Sequence, residues 1–67
     1  MLLMSLIYRK ADGTPGSTPL IGFDTLRAGH EALRRAAAEA VAEGAAKLAL
    51  RCEDHATATI DIYRLLP

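Results

Sequence analysis

Residues Asp24 to Gly44, DTLRAGHEALRRAAAEAVAEG, constrain the fold most, because they read as the chain's one amphipathic helix. Leu26, Leu33, Ala37, Ala40 and Val41 recur at three- and four-residue steps, with His30 between the first two. That spacing gathers them on one face of a 3.6-residue helix. Arg27, Glu31, Arg34, Arg35 and Glu39 fall on the other, with Glu31 and Arg35 in the favourable i, i+4 order. Asp24 is the expected cap and Phe23 the hydrophobic staple before it. Gly44 is the expected left-handed stop. Gly29 reads as a weak point, costing ~1 kcal/mol relative to Ala. An apolar face made mostly of Ala is thin, so the helix can lie close to what it covers and needs bulkier residues opposite.

Those residues stand in alternating runs on both sides of the helix, which predicts a sheet with one helix laid across it. Leu2 to Arg9 reads as a first strand, apolar on both faces. Lys10 to Thr18 reads as a loop, with Asp12-Gly13 and Pro15-Gly16 as turn dipeptides. Pro19 to Phe23 reads as a short edge strand, because Pro cannot donate to a ladder. Lys47 to Glu53 alternates, with Leu48, Leu50 and Cys52 on one face. Asp54-His55 reads as a tight turn. Thr57 to Leu65 is the last strand, with Ala58, Ile60 and Ile62 expected at the core. The expectation is one α+β domain over residues 1–67: a two-layer β-β-α-β-β arrangement with a four-stranded, mainly antiparallel sheet.

The face away from the helix would then carry Leu3, Ser5, Ile7, Arg9, Lys47, Ala49, Arg51, Thr57, Thr59, Asp61 and Tyr63. Of these, Leu3, Ile7, Arg9, Arg51, Thr59, Asp61 and Tyr63 are the expected partner-binding residues.

Composition bounds the function. The chain has 67 residues, 51% of them hydrophobic, so its core is modest and oligomerisation or a larger partner is the expected supplement. The formal net charge is zero, which argues against sequence-independent nucleic-acid binding. Arg27, Arg34 and Arg35 with Arg9, Arg51 and Arg64 remain the one basic set that could serve it. Cys52 is the single cysteine, which excludes an internal disulfide and makes the cytoplasm the expected compartment. MLLMSLI is too short for a membrane span.

Candidates for chemistry are few. His30 and His55 have no metal-ligand partner at useful spacing, and Cys52 faces the expected core without a base beside it. Asp12-Gly13 lacks the lysine and following helix of a phosphate loop. No catalytic residue, metal or cofactor is therefore expected, and the chain reads as non-enzymatic.

The order hairpin, FDTLRAGHEALRRAAAEAVAEG, second hairpin resembles several families of very small bacterial and phage proteins. Among them are anti-CRISPR proteins that block multi-subunit type I surveillance complexes. The resemblance spans nearly the whole chain and is one of architecture, with no motif that assigns a residue. It implies an inhibitor that binds a Cas protein through a sheet face, loop or helix edge. The other classes compatible with the chain are a nucleic-acid-binding accessory protein using the helix arginines and a homo-oligomer, such as a dimer, closed through the open sheet or an edge strand.

Overall fold

A computed structural model describes residues 1–66. The elements are β1 (Leu2–Arg9), β2 (Pro15–Ser17), β3 (Ile21–Phe23), α1 (Leu26–Ala42), β4 (Ala46–Asp54) and β5 (Thr59–Arg64). The fold is α+β, as expected: one open antiparallel sheet with a single helix. The sheet has five strands, not four. Its order is β2-β1-β4-β5, with β3 also on β1.

β1 is the central strand. It is hydrogen-bonded along both edges. One edge carries β4. The other is shared by β2, opposite Ile7 to Arg9, and β3, opposite Leu2 to Met4. Thr18 fills the gap between them: Leu6 N–H donates to Thr18 Oγ1 at 2.9 Å, and Thr18 N–H donates to Leu6 O at 3.0 Å. The extra strand β2 lies inside the segment expected to be loop. Pro15, Gly16 and Ser17 have little strand propensity, but Gly16 pairs with Tyr8, and a Cβ on Gly16 would run into the Tyr8 ring. The aromatic ring thus selects the glycine.

The helix begins one residue later than Asp24 would place it. Thr25 is the cap: its Oγ1 accepts from Ala28 N–H at 3.1 Å. At the other end Gly44 adopts φ +88, as expected of a left-handed stop. Ala45 N–H reaches Ala40 O at 2.9 Å and Gly44 N–H reaches Val41 O at 3.0 Å, the paired bonds of a Schellman motif. The buried stripe is Gly29, Leu33 and Ala40, flanked by Ala36 and Ala37. Leu26 and Val41, expected inside, are exposed. The stripe is turned because Gly29 is the point of closest approach. A Cβ there would crowd Met4 Sδ, lie 2.8 Å from Met4 Cε and 3.0 Å from Phe23 Cδ2.

The core lies between the helix and β1 and β4: Met4, Leu6, Leu33, Ala40, Leu48, Leu50 and Cys52. Met4, Leu6, Leu48 and Leu50 are its largest fully buried side chains. The register between β1 and β4 slips between Ile7 and Arg9, where Lys47 adopts φ 55. One extra residue in β4 makes this a bulge, with a lysine in the left-handed position that glycine usually takes. The β4–β5 connection is longer than the expected two-residue turn. Asp54 pairs with Thr59, leaving His55 to Ala58 as the loop. Asp54 Oδ1 accepts from Ala56 N–H at 3.0 Å, and Ala58 takes φ 55.

Candidate partner-binding surface

The helix packs on β1, β3 and β4 and does not reach β5. Among the described residues no layer covers the opposite side of the sheet. Directly paired residues of an antiparallel sheet share a face, so the pairing assigns every side chain to a side. Three rows cross the uncovered face: Leu3–Glu53–Ile60, Ser5–Arg51–Ile62 and Ile7–Ala49–Arg64. On the helix side the rows are Leu2–Asp54–Thr59, Met4–Cys52–Asp61 and Leu6–Leu50–Tyr63.

This divides the expected partner-binding residues. Leu3, Ile7, Arg9 and Arg51 lie on the uncovered face. Thr59, Asp61 and Tyr63 lie on the helix side, beyond the helix's reach, and are exposed there. Thr57 sits in the loop. Ile60 and Ile62, expected at the core, take their place on the uncovered face and are 57% and 51% exposed. The reason is register: a strand displaced by one residue presents the other set of side chains. A four-residue loop after Asp54 sets that phase, and the Asp54 Asx turn was the available sequence signal for it.

Arg51 Nη1 meets Glu53 Oε1 at 2.9 Å, and His55 Nε2 lies 3.7 Å from Glu53 Oε2. Both partners of the first pair are largely shielded, with side-chain exposures of 30% and 21%. It is thus better placed to hold its geometry than the helix pairs. Those are Arg34–Glu31 at 4.0 Å and Arg35–Glu39 at 3.5 Å, on strongly exposed side chains. Such pairs contribute little. The expected Glu31–Arg35 pair is replaced by these two.

Toward the Ile7–Ala49–Arg64 end the surface is basic. Arg9, Lys47 and Arg64 gather there, and none forms an ion pair among the described residues. A shallow depression of about 400 Å³ lies between Ile7, Lys47, Ala49, Ile62, Arg64 and Leu66. Ser5 and Ala49 are buried although no layer covers them, because they are small residues between longer side chains. The face is therefore apolar ridges around a filled floor, basic at one end and with a shielded ion pair inside.

The remaining candidates for chemistry stand apart. Cys52 is buried on the core side; burial pushes its thiol up, and Asp54 and Asp61 add to the effect. Desolvation raises the Tyr63 phenol, with Asp61 beside it adding to the shift. Asp12 is lowered, first by the Thr14 hydroxyl at 2.6 Å and then by Thr14 N–H at 3.0 Å, an exposed turn bond. His30 is exposed on the helix. Among the described residues no three His, Cys, Asp or Glu side chains gather as a metal set. Among them, too, no helix is long and apolar enough to cross a membrane.

No protein-family model, curated protein or solved structure matches the chain.

Proposed function

We propose that the protein is a non-enzymatic protein-binding module whose contact surface is the uncovered sheet face. One observation carries this reading: Leu3, Ile7, Ile60 and Ile62 share a face that no other layer covers, and both isoleucines of β5 stand more than half exposed. Fully burying one such side chain is worth ~1.5–3 kcal/mol, so the two exposed isoleucines, beside the half-buried Leu3 and Ile7, hold binding free energy in reserve. The basic end formed by Arg9, Lys47 and Arg64 fits a partner with an apolar centre and an acidic margin. The architectural resemblance to type I anti-CRISPR proteins supports a Cas subunit as the first partner to test, with the protein acting as an inhibitor carried by a phage or mobile element. A reduced, buried Cys52 suits the cytoplasm in which such a complex works.

The test is a tagged pull-down from a bacterial lysate carrying CRISPR–Cas systems, run with the native chain, Ile7→Asp and Ile60→Asp. A single stoichiometric, salt-resistant protein retained by the native chain and lost from both variants is the expected result. Circular dichroism should show all three folded. Equal retention by the variants would move the contact elsewhere. Recovery of nucleic acid alone, released by added salt, would replace this reading with the arginine-based one.

A further inference from the structure

Among the described residues β5 is paired with β4 on one edge only, and its other edge is open. The phase of its hydrogen bonds is fixed from two sides. Leu65 N–H donates to Leu48 O at 2.8 Å. Leu6 turns both its main-chain groups toward Thr18 and so away from Leu50, its β4 partner. Antiparallel ladders alternate bonded and non-bonded pairs. Thr59, Asp61 and Tyr63 therefore spend their main-chain groups on β4, while Ile60, Ile62 and Arg64 aim theirs at the open edge. The strand has no proline, no lysine and no bulge, and Asp61 and Arg64 are its two charged residues. All six of its residues are exposed.

We propose that this edge is the docking site of a second copy of the chain, paired antiparallel through β5 about a two-fold axis centred on Ile62. The parity of the ladder allows few alternatives, because an outward-facing residue must meet another outward-facing residue. A centre at Asp61 sets two carboxylates opposite each other. A centre at Tyr63 slides Ile60 past the end of the partner strand. At Ile62 the strand is self-complementary: Ile62 meets Ile62 of the second copy, and each Ile60 meets Arg64 of the other. Three pairs form, each exchanging two main-chain bonds. On the helix side each Asp61 stands opposite a Tyr63, not another acid. Zero net charge leaves no bulk repulsion between copies.

The parity also places both helices on the same side, so the two uncovered faces become one continuous surface. A six-residue edge falls at the small end of specific interfaces, so the dimer is a reversible one with a dissociation constant on the order of micromolar. The pairing rests on main-chain groups and stands independently of any partner for the sheet face.

The experiment is sedimentation equilibrium of the full chain across micromolar to millimolar concentration, with residue-resolved amide exchange at both ends of the range. The expected result is a monomer–dimer equilibrium. The Ile60, Ile62 and Arg64 amides should gain protection in step with the dimer, while Asp61 and Tyr63 stay protected throughout. Ile62→Pro removes an N–H that β4 does not use, so the fold should survive by circular dichroism. Its dimer should weaken about 30-fold, for two lost bonds. Monomer mass at millimolar concentration would overturn the proposal, as would a dimer whose Ile60, Ile62 and Arg64 amides exchange freely. If Ile62→Pro unfolds, amide exchange in the native chain still decides. Ile7→Asp should leave the dimer intact, which separates this interface from the sheet-face contact.

Discussion

Replacing Gly29 by alanine sets helix propensity against packing, and the structure says packing wins. On propensity alone, Gly29→Ala at the end of the first turn of α1 should stabilise by up to ~1 kcal/mol. Gly29, however, is buried where the helix crosses β1. The new Cβ would crowd Met4 Sδ and lie 2.8 Å from Met4 Cε and 3.0 Å from Phe23 Cδ2. Met4 is flexible in itself, but it is fully buried, with Cys52 as its cross-strand partner, and has no solvent to swing into. Overpacking of this kind costs about 1–3 kcal/mol. The balance is a net loss of about 1 kcal/mol, which for a domain this small lowers Tm by roughly 4–8 °C. Urea unfolding followed by circular dichroism reads it directly, and a cycle with Met4→Ala isolates the cause. Met4→Ala alone should lose about 2–5 kcal/mol. In that background Gly29→Ala should change sign and gain up to ~1 kcal/mol, because the Met4 atoms are gone and only Phe23 Cδ2 at 3.0 Å has to give way. A gain of ~1 kcal/mol in the native background would refute the reasoning, since it would mean that the helix lifts or Met4 yields at no cost.

Three further outcomes are expected. Thr25→Ala should cost about 1 kcal/mol in chemical denaturation, while Asp24→Ala should stay within ~0.5 kcal/mol, because the Thr25 hydroxyl holds the Ala28 amide. Ala58→Gly should stabilise by about 1 kcal/mol, since φ 55 is strained for alanine and free for glycine. For Cys52 the folded thiol titrates above its ordinary value. Above about pH 8.5 the unfolded chain loses that proton first, so the unfolded state binds fewer protons and stability falls as pH rises. Thermal melts from pH 7 to 10 should show this decline, and Cys52→Ala should remove the contribution of this group.

The parts legible in the sequence were those whose local pattern and global role agree. β1, α1 and β4 each carry enough apolar residues at one period to declare themselves, and Gly44 ends the helix where a left-handed residue was due. The rest was decided by partners that a local pattern does not contain. β2 is a strand because β1 has an edge to fill and Tyr8 a ring to lay on Gly16; nothing in Pro-Gly-Ser says so. Thr25 takes the cap from Asp24 because the chain enters the helix one residue later, a choice between two good capping residues. The phase of β5 was the costly error. Ile60 and Ile62 look like core because they are β-branched and alternate with polar residues. Their side of the strand is set by the loop of His55 to Ala58 and by pairing with β4, and no helix lies over β5 to reward the other choice. With the phase reversed, Tyr63, Asp61 and Thr59 left the expected binding face and Ile60, Ile62 and Arg64 entered it.

The central place of β1 has a kinetic consequence. Its principal partner, β4, begins nearly forty residues later, after β2, β3 and the whole helix. The β4–β5 hairpin closes over four residues and can form within ~1–10 μs. Joining β1 to β4 must close the long loop first, before any of the core between sheet and helix exists to reward it. The folding rate of this small chain is therefore governed by one distant encounter.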